Sequence, residues 1–313
     1  MELIRGIHNL RERHKGCVLS IGNFDGVHLG HQALLNELKE KGKALHAPTM
    51  VMIFEPQPLE FFARDPQRPR LTRLRDKAKQ LAKLGIDYLL CVHFDHDFAA
   101  MPAEDFIGKL LGQTLAIKYL VVGDDFHFGY KRQGDIHLLR ALGEKNGFIV
   151  ENTQSFVTDS GKRISSTCIR EALLNDDLAL SEKMLGRPYS ICGRIVHGDE
   201  LGRTIGYPTA NIKLQGFKSA IKGVYAVEVK CIGDKLYKGV ANIGTRPTIA
   251  GVRQQLEVHL LDFHDNLYGK HIDVIFRKKI RNEQRFASLD ELKKQIKCDE
   301  QVARDFWARN DQF

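Results

Sequence analysis

The 313-residue sequence has six cysteines, at 17, 91, 168, 192, 231 and 298, and none forms a CxxC pair. That spacing signals neither a zinc site nor a redox motif. Scattered cysteines in a chain of this size lead us to expect a reduced, cytoplasmic protein. No apolar run reaches the roughly 18 residues of a membrane helix. The opening MELIRGIHNLRERHKG holds no apolar core of leader length. The GxGxxG turn of nicotinamide dehydrogenases is missing, as are internal repeats and low-complexity tracts. A concentrated basic face is missing too. The net charge of +8 is spread along the chain, with its densest cluster at Arg277-Lys278-Lys279-Ile280-Arg281. Nucleic-acid binders gather their charge on one face or arm, so the balance favours small anionic substrates. Neither nucleic acid nor a membrane is expected as a partner, and protein partners are not indicated.

What is present suffices for two cores. A hydrophobic share of 43% can fill them and a charged share of 27% can cover them. In the first half, short apolar runs alternate with helical stretches. Strands are expected at Cys17–Ile21, Met50–Phe54, Tyr88–Val92 and Tyr119–Val122. Helices are expected at 30–45, 71–84, from about Ala103, and near 134–145. Such alternation implies parallel strands with helical crossovers, and ligands at the strands' carboxyl ends. GNFDG, FEPQP and GDDFHFG would then open on one rim. After about residue 186, β-rich segments follow one another, separated by Gly, Asn and Asp. They suggest a small antiparallel barrel or sandwich. A last helix opens at Ser288-Leu289-Asp290-Glu291 with a capping-box pattern and is expected to bury Leu292 and Ile296. We expect one domain at 1–186 and a second at 187–313.

In GNFDGVHLGH, Gly22 and Gly26 permit a tight turn after a strand, and His28 and His31 follow at a helix start. A helix N-terminus disfavours a basic side chain unless an anion joins it, so the arrangement suits phosphate oxygens. The plain alternative is a pair of surface histidines beside a turn. ISSTCIR repeats the logic. Ser165, Ser166 and Thr167 can cap a helix, yet Arg170 is expected in its first turn, where a cation fits only beside an anion. Arg163 precedes the motif and could reach the same anion. In the second half, GDELGRTIGYPTAN places Arg203 in a turn flanked by Gly202 and Gly206, suited to covering phosphates. Thr209 and Asn211 present two neutral oxygens on one side of an extended chain, as Mg²⁺ accepts. They read equally well as turn residues after Pro208. Glu257 and His259 share one strand face, where a carboxylate could take a hydroxyl proton. A charged, exposed strand face is the commoner meaning of such a pattern.

These motifs resemble a known family. GNFDGVHLGH is similar to the GxFDGxHxGH motif of HxGH-type nucleotidyltransferases, and ISSTCIR to their ISSTxxR. With GDDFHFG they resemble the FMN adenylyltransferase module of bacterial bifunctional riboflavin kinase/FAD synthetases. His127 stands where Arg is more usual in that last motif. GRTIGYPTAN, GVANIGTRPT, LEVHLLDF and IRNEQRF resemble riboflavin kinases, in the family's order and covering nearly the whole chain. The resemblance implies a Rossmann-like nucleotidyltransferase domain with a parallel sheet, followed by a small antiparallel β-barrel with a C-terminal helix. It implies phosphorylation of riboflavin to FMN by ATP, then adenylylation of FMN to FAD with release of pyrophosphate, with Mg²⁺ as cofactor. Carried over, Gly22, Asn23, Phe24, Asp25, His28 and His31 bind ATP from one side, and Arg163, Ser166, Thr167 and Arg170 from the other. Asp125, Arg281 and Glu283 lie near flavin. Gly202, Arg203, Thr209 and Asn211 hold Mg-ATP, with Thr209 and Asn211 on the metal, and Glu257 is the kinase base. A flavin sensor that has lost catalysis, or a nucleic-acid-binding surface, are the competing classes.

Overall fold

The computed structural model describes residues 1–62, 69–153, 157, 161, 163–196, 206–214, 217–231, 235–248, 251–263 and 265–310. The chain divides into two compact units. One comprises Met1–Arg68 and Leu74–Ser166, the other Pro69–Arg73 and Thr167–Phe313.

The first unit alternates strands and helices: β1 (Glu2–Arg5), β2 (Val18–Ile21), α1 (Leu29–Ala44), β3 (Thr49–Glu55), α2 (Pro58–Phe62), α3 (Leu74–Lys83) and β4 (Tyr88–His93). Then come α4 (His96–Ala99), α5 (Ala103–Asp105) leading into a π-helical stretch at Phe106–Thr114, β5 (Tyr119–Gly123), α6 (Ile136–Lys145) and β6 (Ile149–Thr153). All six strands are parallel, in the order β1-β4-β3-β2-β5-β6. Both sheet faces are covered, which is why the strands read as unbroken apolar runs. Met50 and Met52 of β3 join one core with Phe106, Ile107 and Leu111, while Val51 and Ile53 join the other with Leu34, Leu35 and Leu38 of α1. The chain steps from β2 to β3 to β4 on one side, then returns to place β5 on the other side of β2. That reversal makes the β2/β5 pair the switch point where ligands bind. The segments GNFDG and GDDFHFG leave the carboxyl ends of these two strands.

β1 and β6, one at each edge of the sheet, are short and were not expected. α3 starts at Leu74 rather than 71. The reason is that Pro69–Arg73 is committed elsewhere, as a strap on the second unit. Arg73 donates from Nη2 to the Lys213 carbonyl at 3.0 Å, and its guanidinium lies 5.0 Å from the Phe217 ring centre.

The second unit begins with α7 (Ser166–Leu174, from its second residue) and α8 (Leu178–Leu185). Six antiparallel strands follow: β7 (Ser190–Val196), β8 (Ala210–Lys213), β9 (Gly223–Lys230), β10 (Leu236–Thr248), β11 (Gly251–Leu260) and β12 (His271–Arg281). They close a barrel in the order β10-β11-β8-β7-β12-β9. Alternate residues fill it. Leu256, Val258 and Leu260 of β11 are buried while Glu257 and His259 between them are only half-buried. The last helix, α9 (Leu289–Asn310), opens as expected. Ser288 Oγ accepts from the Glu291 N–H at 3.2 Å, and the Glu291 carboxylate accepts from the Ala287 N–H at 3.0 Å. Its buried stripe lies further along than expected, at Asp299, Ala303 and Trp307. Ala303 and Trp307 pack on Ala226 and Leu261, whereas Leu292 and Ile296 are half-buried and border a cavity. Among the described residues, no helix is long and apolar enough to cross a membrane.

Candidate active sites

In the first unit, the turn after β2 is tightly wound. Gly26 takes φ +86°, and Phe24 and Val27 sit at +46° and +42°, a left-handed region that non-glycine residues rarely adopt. Gly22 contributes differently. Its φ is not positive, but a side chain there would press the Phe24 ring at 3.3 Å. The turn delivers His28 to the N-cap of α1, where its Nδ1 accepts from the His31 N–H at 3.3 Å. With Nδ1 accepting, Nε2 carries the ring proton, so neutral His28 is a donor. The two imidazoles stack with centroids 3.6 Å apart. Burial holds His31 well below the ordinary histidine pKa, and the positive charge that His28 would carry if protonated, and that of Lys77, push it the same way. Its Nδ1 is buried with no partner. So is Oδ1 of Asn23. Such unpartnered groups at the positive end of a helix could meet a ligand as neutral dipoles.

The ISST motif meets this turn directly. Ser166 occupies the first helical position of α7, and its hydroxyl donates to the Asp25 carbonyl at 2.8 Å. Asp25 itself is buried. Arg163 reaches the GDDFHFG loop, with Nη2 3.3 Å from Asp124 and 3.2 Å from Asp125. That loop is braced by His127, whose Nδ1 lies 3.0 Å from the Asp125 carbonyl. Thr167 and Arg170 belong to the second unit. Arg170 is the fifth helical residue, in the second turn rather than the first, because α7 starts at Ser166. It is buried, and its Nε donates to the Pro69 carbonyl at 2.6 Å.

Two features here escaped the sequence reading. Lys77 on α3 is 1% exposed. Its signal was a lysine inside the apolar stripe of Leu74, Ala78 and Leu81. An aromatic group also lies beyond the ends of β3 and β4. Phe61 and Phe62 pack edge-on against Phe94, at 5.3 and 5.7 Å, and Phe62 is 64% exposed.

In the second unit, two cavities of about 370 Å³ each share Thr209 and Asn211 in their walls. One is bordered by Glu257, Arg281, Glu283 and, from α9, Leu292 and Ile296. The other is more polar, with Asp265, Asn266 and Tyr268 beside Ile195, Val258 and Phe263. The barrel register explains the junction. Glu257 stands directly between Asn211 on β8 and Asn242 on β10. His259, two residues on, anchors the PTAN turn by donating from Nδ1 to the Pro208 carbonyl at 2.9 Å. Asn211 is buried, and its Oδ1 accepts from Gln255 Nε2. Glu283 accepts from the Thr245 N–H at 3.3 Å. Sequence reading thus named residues that do converge: Thr209, Asn211, Glu257, Arg281 and Glu283. Gly202 and Arg203 lie outside the described residues. Among the described residues there is no cluster of three or more histidine, cysteine or acidic side chains suited to a metal.

A helix N-terminus bearing neutral imidazoles at a switch point handles anions. A carboxylate in one cavity, opposite an asparagine that borders both, can move a proton next to a bound cation. Both arrangements suit an enzyme of the phosphate-transfer class. Comparison with known proteins narrows this. A family model for FAD synthetase matches residues 10–168, and one for riboflavin kinase matches residues 185–307. The bifunctional riboflavin kinase/FMN adenylyltransferase of Escherichia coli (strain K12) is 61% identical over 308 residues, 98% of each chain. That of Haemophilus influenzae is 52% identical, over 98% of this chain and 99% of its own. A solved structure described as a macrolide-efflux protein from Streptococcus pneumoniae is 30% identical. It aligns with a TM-score of 0.78, over 97% of this chain and 99% of its own. The chain belongs to the bifunctional riboflavin kinase/FMN adenylyltransferase family.

Proposed function

We propose that the barrel unit phosphorylates riboflavin and that the sheet unit adenylylates the FMN so formed, each through the residues above. The enzyme makes FMN from riboflavin and ATP, and FAD from FMN and ATP with loss of pyrophosphate. The observation that carries the residue assignment is the pair of cavities sharing Thr209 and Asn211. Riboflavin takes the cavity beside α9 and ATP the other, so the primary hydroxyl and the γ-phosphorus meet at the shared wall. Glu257 accepts the hydroxyl proton while the new P–O bond forms and the bond to ADP breaks. His259 holds the PTAN turn in register.

The donor set at this wall fits Mg²⁺. Thr209 and Asn211 offer uncharged oxygens, and Mg²⁺ is commonly bound through one or two protein groups plus phosphates and water. Asn211 would exchange its contact with Gln255 for the ion. When bound, the ion would neutralise charge on the transferring phosphates. We assign Gly202 and Arg203 to the same ATP on sequence alone.

In the sheet unit, an oxygen of the FMN phosphate attacks the α-phosphorus of ATP, and the bond to pyrophosphate breaks. No covalent enzyme intermediate is required. Gly22, Asn23, Phe24 and Asp25 shape the phosphate turn, while His28 and His31 donate to oxygens that gain charge. Ser166 fixes the turn, and Arg163, Thr167 and Arg170 complete the ATP contacts in this reading. Asp125 faces the flavin side, and the aromatic group near Phe62 offers a surface for a planar ring. The boundary between the activities falls at 186/187 in this reading.

The basic strand RKKIR is accounted for within the barrel. Arg277 pairs with Glu228, Lys279 with Asp176 and Arg281 with Asp299. This supports a small-molecule enzyme rather than a nucleic-acid binder, and nucleotide substrates suit the cytoplasm. The test is to incubate the protein with riboflavin, ATP and Mg²⁺ and to separate the flavins. FMN and FAD should both form. Bound but unchanged riboflavin would leave a flavin sensor.

A further inference from the structure

The flavin-side cavity has one wall that comes from far along the sequence. α9 supplies Leu292 and Ile296 to it at helical spacing, and Asp299 and Glu300 one turn on. Facing them, Arg281 ends β12. All three guanidinium nitrogens of Arg281 are engaged. Nε donates to Asp299 Oδ1 at 2.8 Å, Nη2 to Asp299 Oδ2 at 2.7 Å, and Nη1 to the Asn282 carbonyl at 2.9 Å. Gln295 Nε2 donates to Asp299 Oδ1 at 2.9 Å, and the Phe286 ring centre lies 5.6 Å from the guanidinium.

Asp299 is 3% exposed. A buried carboxylate is costly, and an apolar residue would dock a helix at least as well. The same stripe does so one turn later, with Ala303 and Trp307 on the barrel. The ionic contact stands where the stripe stops filling core and starts to border the cavity. A two-point guanidinium–carboxylate fork fixes orientation as well as distance, which apolar contact does not. We propose that Asp299 is a positioning residue for riboflavin: by clamping Arg281 it fixes the α9 wall against the mouth of the barrel and so sets the width of the slot that receives the flavin ring. Arg281 acts here as one jaw of the clamp, with a donor on each of its three nitrogens given to the protein. The proposal rests on the reading of this cavity as the riboflavin site.

The test uses the full-length protein, with riboflavin binding followed by its fluorescence and kinase kinetics by flavin separation. Asp299→Asn keeps the size of the side chain and loses the charged fork. Riboflavin Kd and KM should rise about tenfold, a loss of roughly one charged hydrogen bond. The kcat and the KM for ATP should stay within about threefold, the pattern of lost ground-state binding. Arg281→Lys, which keeps the cation but not the fork, should give the same split, and it decides the matter if Asp299→Asn does not fold. An unchanged riboflavin Kd in the folded variants would overturn the proposal. So would a parallel loss of kcat, ATP affinity and melting temperature, which would make the pair a fold contact only. If wild-type protein does not bind riboflavin, the cavity assignment itself fails, a different result from wild type and variants binding equally.

Discussion

The two units build a phosphate-transfer site in opposite ways. In the sheet unit the proposed site lies in turns at strand ends and at one helix N-terminus. Its central residues are neighbours in sequence: Gly22 to His31 form one turn and one cap. In the barrel unit the proposed site lies on strand faces. Asn211 and Glu257 come from different parts of the chain and meet through antiparallel register, with α9 closing the wall. Local sequence therefore nearly determines the first site, whereas the second depends on the whole barrel being closed.

The largest expected effect tests the barrel side. Glu257→Gln preserves shape and removes the base, so riboflavin phosphorylation should fall by roughly 10²–10⁴. Riboflavin binding should change little, since the proton moves only in the transition state. Supplied FMN should still become FAD. On the sheet side, His31→Ala should lower FAD formation from FMN by roughly 10²–10³, the usual loss for one positioned donor. Kinase turnover should persist. Ser166→Ala removes the single hydroxyl bond to the Asp25 carbonyl. It should weaken FAD formation by about 1 kcal/mol, roughly fivefold in kcat/KM, and leave FMN formation alone. Equal damage to both activities by any of these would break the division into two sites.

Fragments sharpen the comparison further. Residues 187–313 carry the whole barrel and should phosphorylate riboflavin alone. Residues 167–313 add Asp176, which accepts from the Tyr225 hydroxyl at 2.8 Å and pairs with Lys279. The longer fragment should melt several degrees higher, as one or two kcal/mol shifts a domain of this size. An inactive but folded short fragment would show that the kinase site needs α7, α8 or the strap. The smallest effect concerns pH. His31 has its folded pKa below the unfolded value near 6.5. The unfolded chain therefore takes up that proton first as pH falls. The stability linked to His31 is present above about pH 6.5 and is lost as pH drops below it toward the depressed folded value. The urea midpoint of wild type should fall more steeply over this range than that of His31→Ala.

Much of this was legible in the sequence, for physical reasons that differ by site. The parallel strands showed as apolar runs because both faces are buried, and the His28 cap showed because a Gly-rich turn, two histidines and a helix start fall within ten residues. β1 and β6 escaped because edge strands are less covered, so ELIR and IVENT do not read as unbroken apolar runs. The strap at Pro69–Arg73 escaped because its partners, such as the Lys213 carbonyl, are backbone groups 140 residues away. Arg170 was placed one turn early because Ser165, Ser166 and Thr167 could each cap a helix, and α7 starts at Ser166. Asp299 was invisible for a deeper reason. An acidic residue on an amphipathic helix reads as surface, and only the closed barrel brings Arg281 against it.

The central claim is that the two chemistries use separate residues, so that either proceeds while the other is disabled. The most direct measurement mixes Glu257→Gln and His31→Ala proteins with riboflavin, ATP and Mg²⁺ and follows FAD. Alone, the first should leave riboflavin largely unchanged and the second should stop largely at FMN. Mixed, they should make FAD at a rate approaching that of the slower wild-type step, since FMN made by one is used by the other. A mixture that accumulates FMN without FAD, or a Glu257→Gln protein that cannot convert supplied FMN, would contradict it.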